Sequence, residues 1–303
     1  MTDGKGKPAR PGVPVDLEKG LRMVLAPNPS PMTLHGTNTY LLGHGRVAVI
    51  DPGPDDPAHL QGILGALRKG DSISHILVTH AHLDHAPLAR RLATLTGAPV
   101  LAFGDAVAGR SEAMKLLAAS EAIGGGEGVD HRFSPDIRLA DADRIRGDDW
   151  ELEAIHTPGH FSSHLAFRWG KVVFSGDHVM GWSSSLVSPP DGDMGAYMRS
   201  LDRLDAVRAA RLYPGHGAPV ASPADRIAFL ARHRRGREAE ILAALARSAS
   251  DARALARQIY RDTPPHLLAA ASRNVFAHLL DLTERELVRP TGPASFTARY
   301  SLA

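Results

Sequence analysis

Three histidines and an aspartate fall within the six residues His80-Ala81-His82-Leu83-Asp84-His85. Imidazole nitrogen and carboxylate oxygen are the donors of zinc, manganese and iron sites. An aliphatic run, His75–Thr79, precedes the cluster and reads as a buried strand; a helical pattern, Ala86–Leu95, follows it. An α/β architecture presents ligands at the carboxyl end of a strand in this way. A strand-end turn can aim His80 and His82, two residues apart, at one point, and Asp84 and His85 at a second. Packing alone gives no reason for four such groups to gather there.

Three later segments repeat the arrangement. His160 lies in His156-Thr157-Pro158-Gly159-His160, Asp177 in Phe174-Ser175-Gly176-Asp177-His178, and His216 in Tyr213-Pro214-Gly215-His216-Gly217, each after a strand-like run. A glycine beside each permits close backbone approach at a crowded site. Five histidines and two aspartates suffice for two divalent metals sharing a carboxylate. With no cysteine in the chain, thiolate ligation, disulfides and a cysteine nucleophile are excluded. Zinc suits the remaining nitrogen and oxygen donors best, with Mn²⁺ or Fe as alternatives.

The elements that must position these groups alternate. Leu21–Leu25, Thr39–Leu42, Val47–Ile50, Pro99–Phe103, Trp150–Ile155, Leu165–Trp169, Val172–Phe174 and Arg211–Tyr213 read as strands. His59–Leu67, Ser111–Ala122 and Met194–Ala210 read as helices, and a flexible glycine-rich stretch spans 124–128. From Pro223 strands nearly vanish, and Ala224–Arg247, Ala252–Tyr260 and Leu267–Leu282 read as three helices. Residues 1–20, rich in Gly, Pro and charge, are expected to be loose. This divides the chain into 1–20, a body at 21–222 and a helical domain at 223–303.

The His-x-His-x-Asp-His run with the distal His, Asp and His resembles the metallo-β-lactamase superfamily over residues 21–221. The resemblance implies an αββα sandwich in the α/β class, with the metals at one edge. By the family pattern His80, His82 and His160 hold one ion, Asp84, His85 and His216 the other, and Asp177 bridges. A metal-bridging hydroxide is then the nucleophile, its pKa lowered toward 7 by the two ions, and Asp84 handles protons as the leaving group departs. Relatives also place the equivalent of Asn38 near the metals, which makes it a candidate substrate-binding residue, and His164 is either a donor to a substrate oxyanion or a structural group. β-Lactamases of the superfamily often place Cys at the second metal, and those lacking it usually lack the bridging Asp; an antibiotic-degrading role is disfavoured. Flavo-diiron relatives carry Glu where His82 stands. What remains is the hydrolytic branch of glyoxalase II, lactonases and phosphodiesterase-type nucleases.

The tail has a second resemblance. His233-Arg234-Arg235-Gly236-Arg237-Glu238, Ile259-Tyr260 and Asn274-Val275-Phe276-Ala277-His278-Leu279 look like the small all-α, winged-helix-like C-terminal domain of the "β-lactamase-like protein 2" group. That group's animal member is similar to a single-strand-specific endoribonuclease. The implied substrate is single-stranded RNA, cleaved at phosphodiester bonds. A small-molecule ester, thioester or lactone is the alternative, and a non-catalytic binding protein is disfavoured by the intact ligand set. Basic helices beside the cleft would hold phosphates through Arg234, Arg235 and Arg237, or else Arg232, Arg234, Arg235 and Arg237 form a solvated helix face on a tail that only covers the cleft or makes a homodimer.

Composition is that of a globular protein. Hydrophobic residues make up 43% and charged residues 22% of 303 residues, which excludes collagen, coiled coil and wholly disordered chains. Residues 226–303 carry 13 basic against 7 acidic side chains, while residues 1–225 carry 22 against 26. A basic tail thus follows a mildly acidic body. No apolar run reaches the roughly 20 residues of a membrane span, so no membrane partner is expected. The N-terminal residues do not read as a secretory signal, and the expected compartment is the cytoplasm.

Overall fold

The computed structural model describes residues 9–120 and 128–303; most of the glycine-rich stretch at 124–128 lies outside the described residues. Two sheets face each other. The first runs in spatial order β1 (Val15–Glu18), β2 (Leu21–Leu25), β3 (Asn38–Leu42), β4 (Arg46–Ile50), β5 (Ser72–Leu77), β6 (Val100–Ala102) and β7 (Ile137–Arg138). The second comprises β8 (Arg144–Arg146), β9 (Glu151–His156), β10 (Leu165–Trp169), β11 (Val172–Gly176) and β12 (Arg211–Pro214), adjacent in that order. The hairpin strands pair antiparallel, whereas β4–β5–β6–β7 and β11–β12 are parallel.

Strand alternation explains the layers. Met23, Leu25, Tyr40, Leu42 and Ile50 point inward against Leu152, Leu165, Phe167 and Phe174 of the second sheet. Their neighbours Val24, Leu41, Val47 and Val49 point outward under α1 (Pro57–Gly65) and α2 (Leu88–Thr96). A short α3 (Glu112–Ala119) is capped by Ser111. On the far side Ile155, Ala166 and Val173 pack under α4 (Met194–Ala206). The result is the αββα sandwich.

Two local expectations are corrected. Residues 15–18 are not loose: Val15 and Asp16 pair with Met23 and Arg22, and Val15 is buried. Backbone pairing to β2 outweighs the polar composition. The helix expected over Met194–Ala210 stops at Ala206, and Arg208 adopts φ +53°, a left-handed conformation that ends a helix.

The C-terminal region contains α5 (Pro223–Leu245), α6 (Ala252–Ile259), α7 (Leu268–Glu284) and a small antiparallel ladder, β13 (Val288–Pro290) with β14 (Tyr300–Leu302). Helix α5 straddles two cores. Ile227 and Leu230 pack on α4, whereas Ile241, Ala244 and Leu245 join Leu255, Phe276 and Leu282. The tail is therefore fastened to the body along a helix face. No described helix is long and apolar enough to cross a membrane.

Candidate metal centre

Every histidine and aspartate singled out as a ligand follows a strand end. The turn after β5 carries His80, His82, Asp84 and His85; His160 follows β9, Asp177 follows β11, and His216 follows β12. The fold brings them into two clusters, His80–His82–His160 and Asp84–His85–Asp177–His216, within each of which the donor atoms lie within 4.8 Å of one another. Crowding explains the glycines. A Cβ at Gly215 would stand 2.5 Å from Asp177 Oδ1 and 2.6 Å from His85 Cε1.

In the first cluster His82 Nδ1 lies 2.8 Å from His80 Nε2 and 3.2 Å from His160 Nε2. In the second, His216 Nε2 lies 3.0 Å from Asp84 Oδ2, 3.2 Å from Asp177 Oδ2 and 3.3 Å from His85 Nε2. The outer nitrogens are held elsewhere: His80 Nδ1 by Thr79 Oγ1 (2.9 Å), His85 Nδ1 by Asp51 Oδ2 (3.0 Å), His160 Nδ1 by the Leu186 carbonyl (2.6 Å) and His216 Nδ1 by the Gly36 carbonyl (3.2 Å). Each outer partner fixes the ring and leaves Nε2 aimed at the cluster. Asp51 escaped the sequence reading, although Asp51-Pro52-Gly53 also follows a strand, β4.

The electrostatics fit cations. Burial, reinforced by neighbouring His160, pushes His82 down to about 3, and burial with His85 and His82 holds His80 well below the usual imidazole range. Neutral imidazoles with free lone pairs are what a metal requires. Burial opposes charge on His216 too, but Asp177 and Asp84 overcome it and raise that group to about 9. The two carboxylates thus seek positive charge at the second cluster. Asp177 Oδ1 is buried without a hydrogen-bond partner among the described residues, with only His85 Nε2 facing it at 3.5 Å. An orphaned carboxylate oxygen is costly, and a divalent ion would satisfy it. The donor set therefore fits two divalent ions.

Two expected substrate-binding residues are corrected. Asn38 is fully buried, and its amide donates to the carbonyls of Pro214 (3.0 Å) and Gly217 (2.9 Å), bracketing the turn that carries His216. His164 is also fully buried, with Nδ1 against Thr157 Oγ1 (2.8 Å) and Nε2 accepting from the Asp177 amide (3.3 Å). Both ring nitrogens of His164 are engaged and neither residue lines the cavity, so Asn38 braces the turn that carries His216 and His164 braces the backbone of Asp177.

The clusters open into a cavity of about 1090 Å³, reached by His82, Asp84, His160, Asp177 and His216. The loop after Asp177 walls it with Met180, Trp182, Ser183, Ser184 and Leu186. The tail supplies Arg253, Arg257, His266, Arg273 and Phe296. The guanidinium carbons of Arg253 and Arg273 each lie 5.2 Å from the Phe296 ring centre. The basic run at 232–237 does not reach this cavity. Arg234 is 1% exposed, and Arg237 pairs with Glu240 at 2.7 Å and covers Tyr260. Arg234 is buried inside the protein and Arg237 is engaged by Glu240 and Tyr260, which corrects the expectation that Arg234, Arg235 and Arg237 together hold phosphates.

Comparison with known proteins agrees with this geometry. Residues 32–216 match the family described as the metallo-beta-lactamase superfamily, and residues 252–294 match the beta-lactamase associated winged helix domain. The chain is 31% identical to the Beta-lactamase-like protein 2 homolog of Drosophila melanogaster over 278 residues, 88% of each protein. It is 31% identical over 245 residues to the lactamase-like protein aptB of Emericella nidulans, covering 78% of this chain and 70% of that one. A metallo-beta-lactamase family protein of Thermus thermophilus superposes with a TM-score of 0.76 and 25% identity, covering 95% of this chain and all of that one. With its αββα sandwich, two His/Asp clusters and C-terminal winged-helix domain, the chain belongs to the metallo-beta-lactamase superfamily of metal-dependent hydrolases.

Proposed function

We propose that this hydrolase cleaves phosphodiester bonds in single-stranded RNA. The observation that carries the reading is the presence of Arg253, Arg257 and Arg273 in the cavity that contains both His/Asp clusters. Among the described residues no carboxylate pairs with Arg253 or Arg257, so their charge is available to phosphates. Trp182, exposed at the cavity wall, offers an aromatic face in the same space, and stacking on such a face is tolerant of base identity.

His80, His82 and His160 would hold one ion, and Asp84, His85 and His216 the other, with Asp177 shared. Zinc suits these donors best. When bound, paired divalent ions supply Lewis-acid polarisation and an acidified water. Asp84 is the ligand whose carboxylate is most open to the cavity, at 27% side-chain exposure. Burial would raise its pKa, but His85 and His216 outweigh burial and hold it below the usual carboxylate range. An ionised Asp84 can accept a proton and return it to the departing oxygen. Arg253 and Arg257 bind the flanking phosphates and orient the chain.

A second reading, hydrolysis of a thioester or lactone, is favoured by the apolar wall of Met32, Leu83, Met180 and Leu186. Such a wall would take an acyl chain. Turnover by zinc-loaded protein on single-stranded RNA and on a thioester and lactone panel, with His82→Ala as blank, separates the two. RNA cleavage absent from the blank supports the first; thioester or lactone turnover without RNA cleavage replaces it with the second.

A further inference from the structure

The buried arginine of α5 leads back to the metal centre. A guanidinium that is 1% exposed and faces no carboxylate among the described residues is expensive unless its hydrogen bonds are well placed. Arg234 donates through Nη2 to the Ser185 carbonyl and through Nη1 to Asn274 Oδ1 on α7, at 3.2 Å. Its guanidinium carbon sits 5.1 Å from the ring centre of Tyr197, on α4. Asn274 Oδ1 also accepts from the backbone N–H of Val187, at 3.0 Å. Two tail residues thus grip positions 185 and 187 of the loop that walls the cavity.

The residues in that grip hold two of the candidate ligands. The Leu186 carbonyl accepts the Nδ1 hydrogen of His160 at 2.6 Å, which fixes the tautomer whose Nε2 faces the cluster. The Ser185 hydroxyl donates to the carbonyls of Asp177 and His178, the latter at 3.0 Å. Three consecutive loop residues therefore connect α5 and α7 to His160 and to the backbone of Asp177. Apart from Asn274 and Arg234, no side chain among the described residues hydrogen-bonds the peptide groups of Ser185 or Val187.

We propose that Arg234 and Asn274 are positioning residues of the metal centre: by clamping Ser185 and Val187 they set His160 and Asp177, and so tune the ion held by His80, His82 and His160. The winged-helix region is in this sense part of the catalytic site, whichever bond the enzyme hydrolyses. The inference rests on the ligand assignment proposed above.

The test is zinc affinity of the full-length protein, measured by competition with a chromophoric chelator. The variants are Arg234→Met, which keeps bulk without donors, Asn274→Leu, which removes the shared acceptor, and Asn274→Asp, which keeps it. In Arg234→Met and Asn274→Leu one of two zinc ions should be held about ten- to a hundredfold more weakly, the range for loss of an outer partner. The other ion, which shares Asp177 but not His160, should weaken less, and Asn274→Asp should restore the first. Amide hydrogen exchange at 183–188 should speed up in the two weakened variants. Parental affinity for both ions in a folded Asn274→Leu protein would overturn the proposal, even if Arg234→Met fails to fold. Equal weakening at both sites without rescue by Asn274→Asp would also overturn it. His160→Ala is the control: two tightly held ions in that protein would refute the ligand assignment itself.

Discussion

Asp51 stands behind His85, itself a member of the second cluster. Its Oδ2 lies 3.0 Å from His85 Nδ1 and accepts from the Thr79 hydroxyl at 2.9 Å, while its Oδ1 accepts from the Thr79 amide at 2.7 Å. One carboxylate therefore fixes both the start of the histidine-rich turn and the ring at its end. Asp51 itself adopts φ +51°, a left-handed conformation that Asn also tolerates.

Asp51→Asn should consequently fold, keeping an acceptor for the Thr79 amide, but lose the negative charge behind His85. Metal affinity or turnover is expected to fall about ten- to a hundredfold. Zinc titration and an unfolding midpoint measured together check this; parental affinity in the folded variant would rule out the orienting role.

His82→Ala should abolish turnover and leave circular dichroism unchanged. His82 contributes one of the converging nitrogens of its cluster but is partly open to the cavity, so its loss leaves little unfilled core. Retained turnover would refute its assignment as a ligand.

Arg253→Ala combined with Arg257→Ala should slow RNA cleavage by about tenfold or more and flatten its salt dependence. Each phosphate contact to a single strand contributes about 0.7 to the slope of log affinity against log salt, so the pair should remove about 1.4. Arg232→Ala with Arg235→Ala, on the exposed face of α5, should change neither quantity. An unchanged slope in the first pair would detach the tail from substrate binding.

His278 on α7 gives a pH dependence of stability. Burial, reinforced by Arg234, His233 and Arg285 nearby, pushes it down to about 3. Between that value and the ordinary 6.5 the unfolded chain takes up a proton that the folded protein refuses, so stability falls as pH drops below about 6.5. The slope from a fully titrating group is about 1.4 kcal/mol per pH unit. Urea unfolding at pH 7 and pH 5 should show a smaller loss for His278→Leu than for the parent; equal losses would refute it.

The two His/Asp clusters were legible in the sequence because metal sites need rare donor types in short runs at strand ends, and both conditions are local. His80 through His85, His160, Asp177 and His216 meet them without reference to distant residues. The strand and helix alternation was legible for the same reason, since periodicity is local. Even the tail's three helices followed from spacing and proline placement.

What only the tertiary structure decided concerns partners far apart in the chain. Asn38 and His164 carry the right atoms for substrate but are consumed by Pro214, Gly217, Thr157 and Asp177. Arg234 and Arg253 are indistinguishable as letters; packing buries the first under α4 and α7 and turns the second into the cavity. Polar side chains acquire their roles from what surrounds them. For Asn38 that surrounding lies some 176 residues away, beyond the reach of any local pattern.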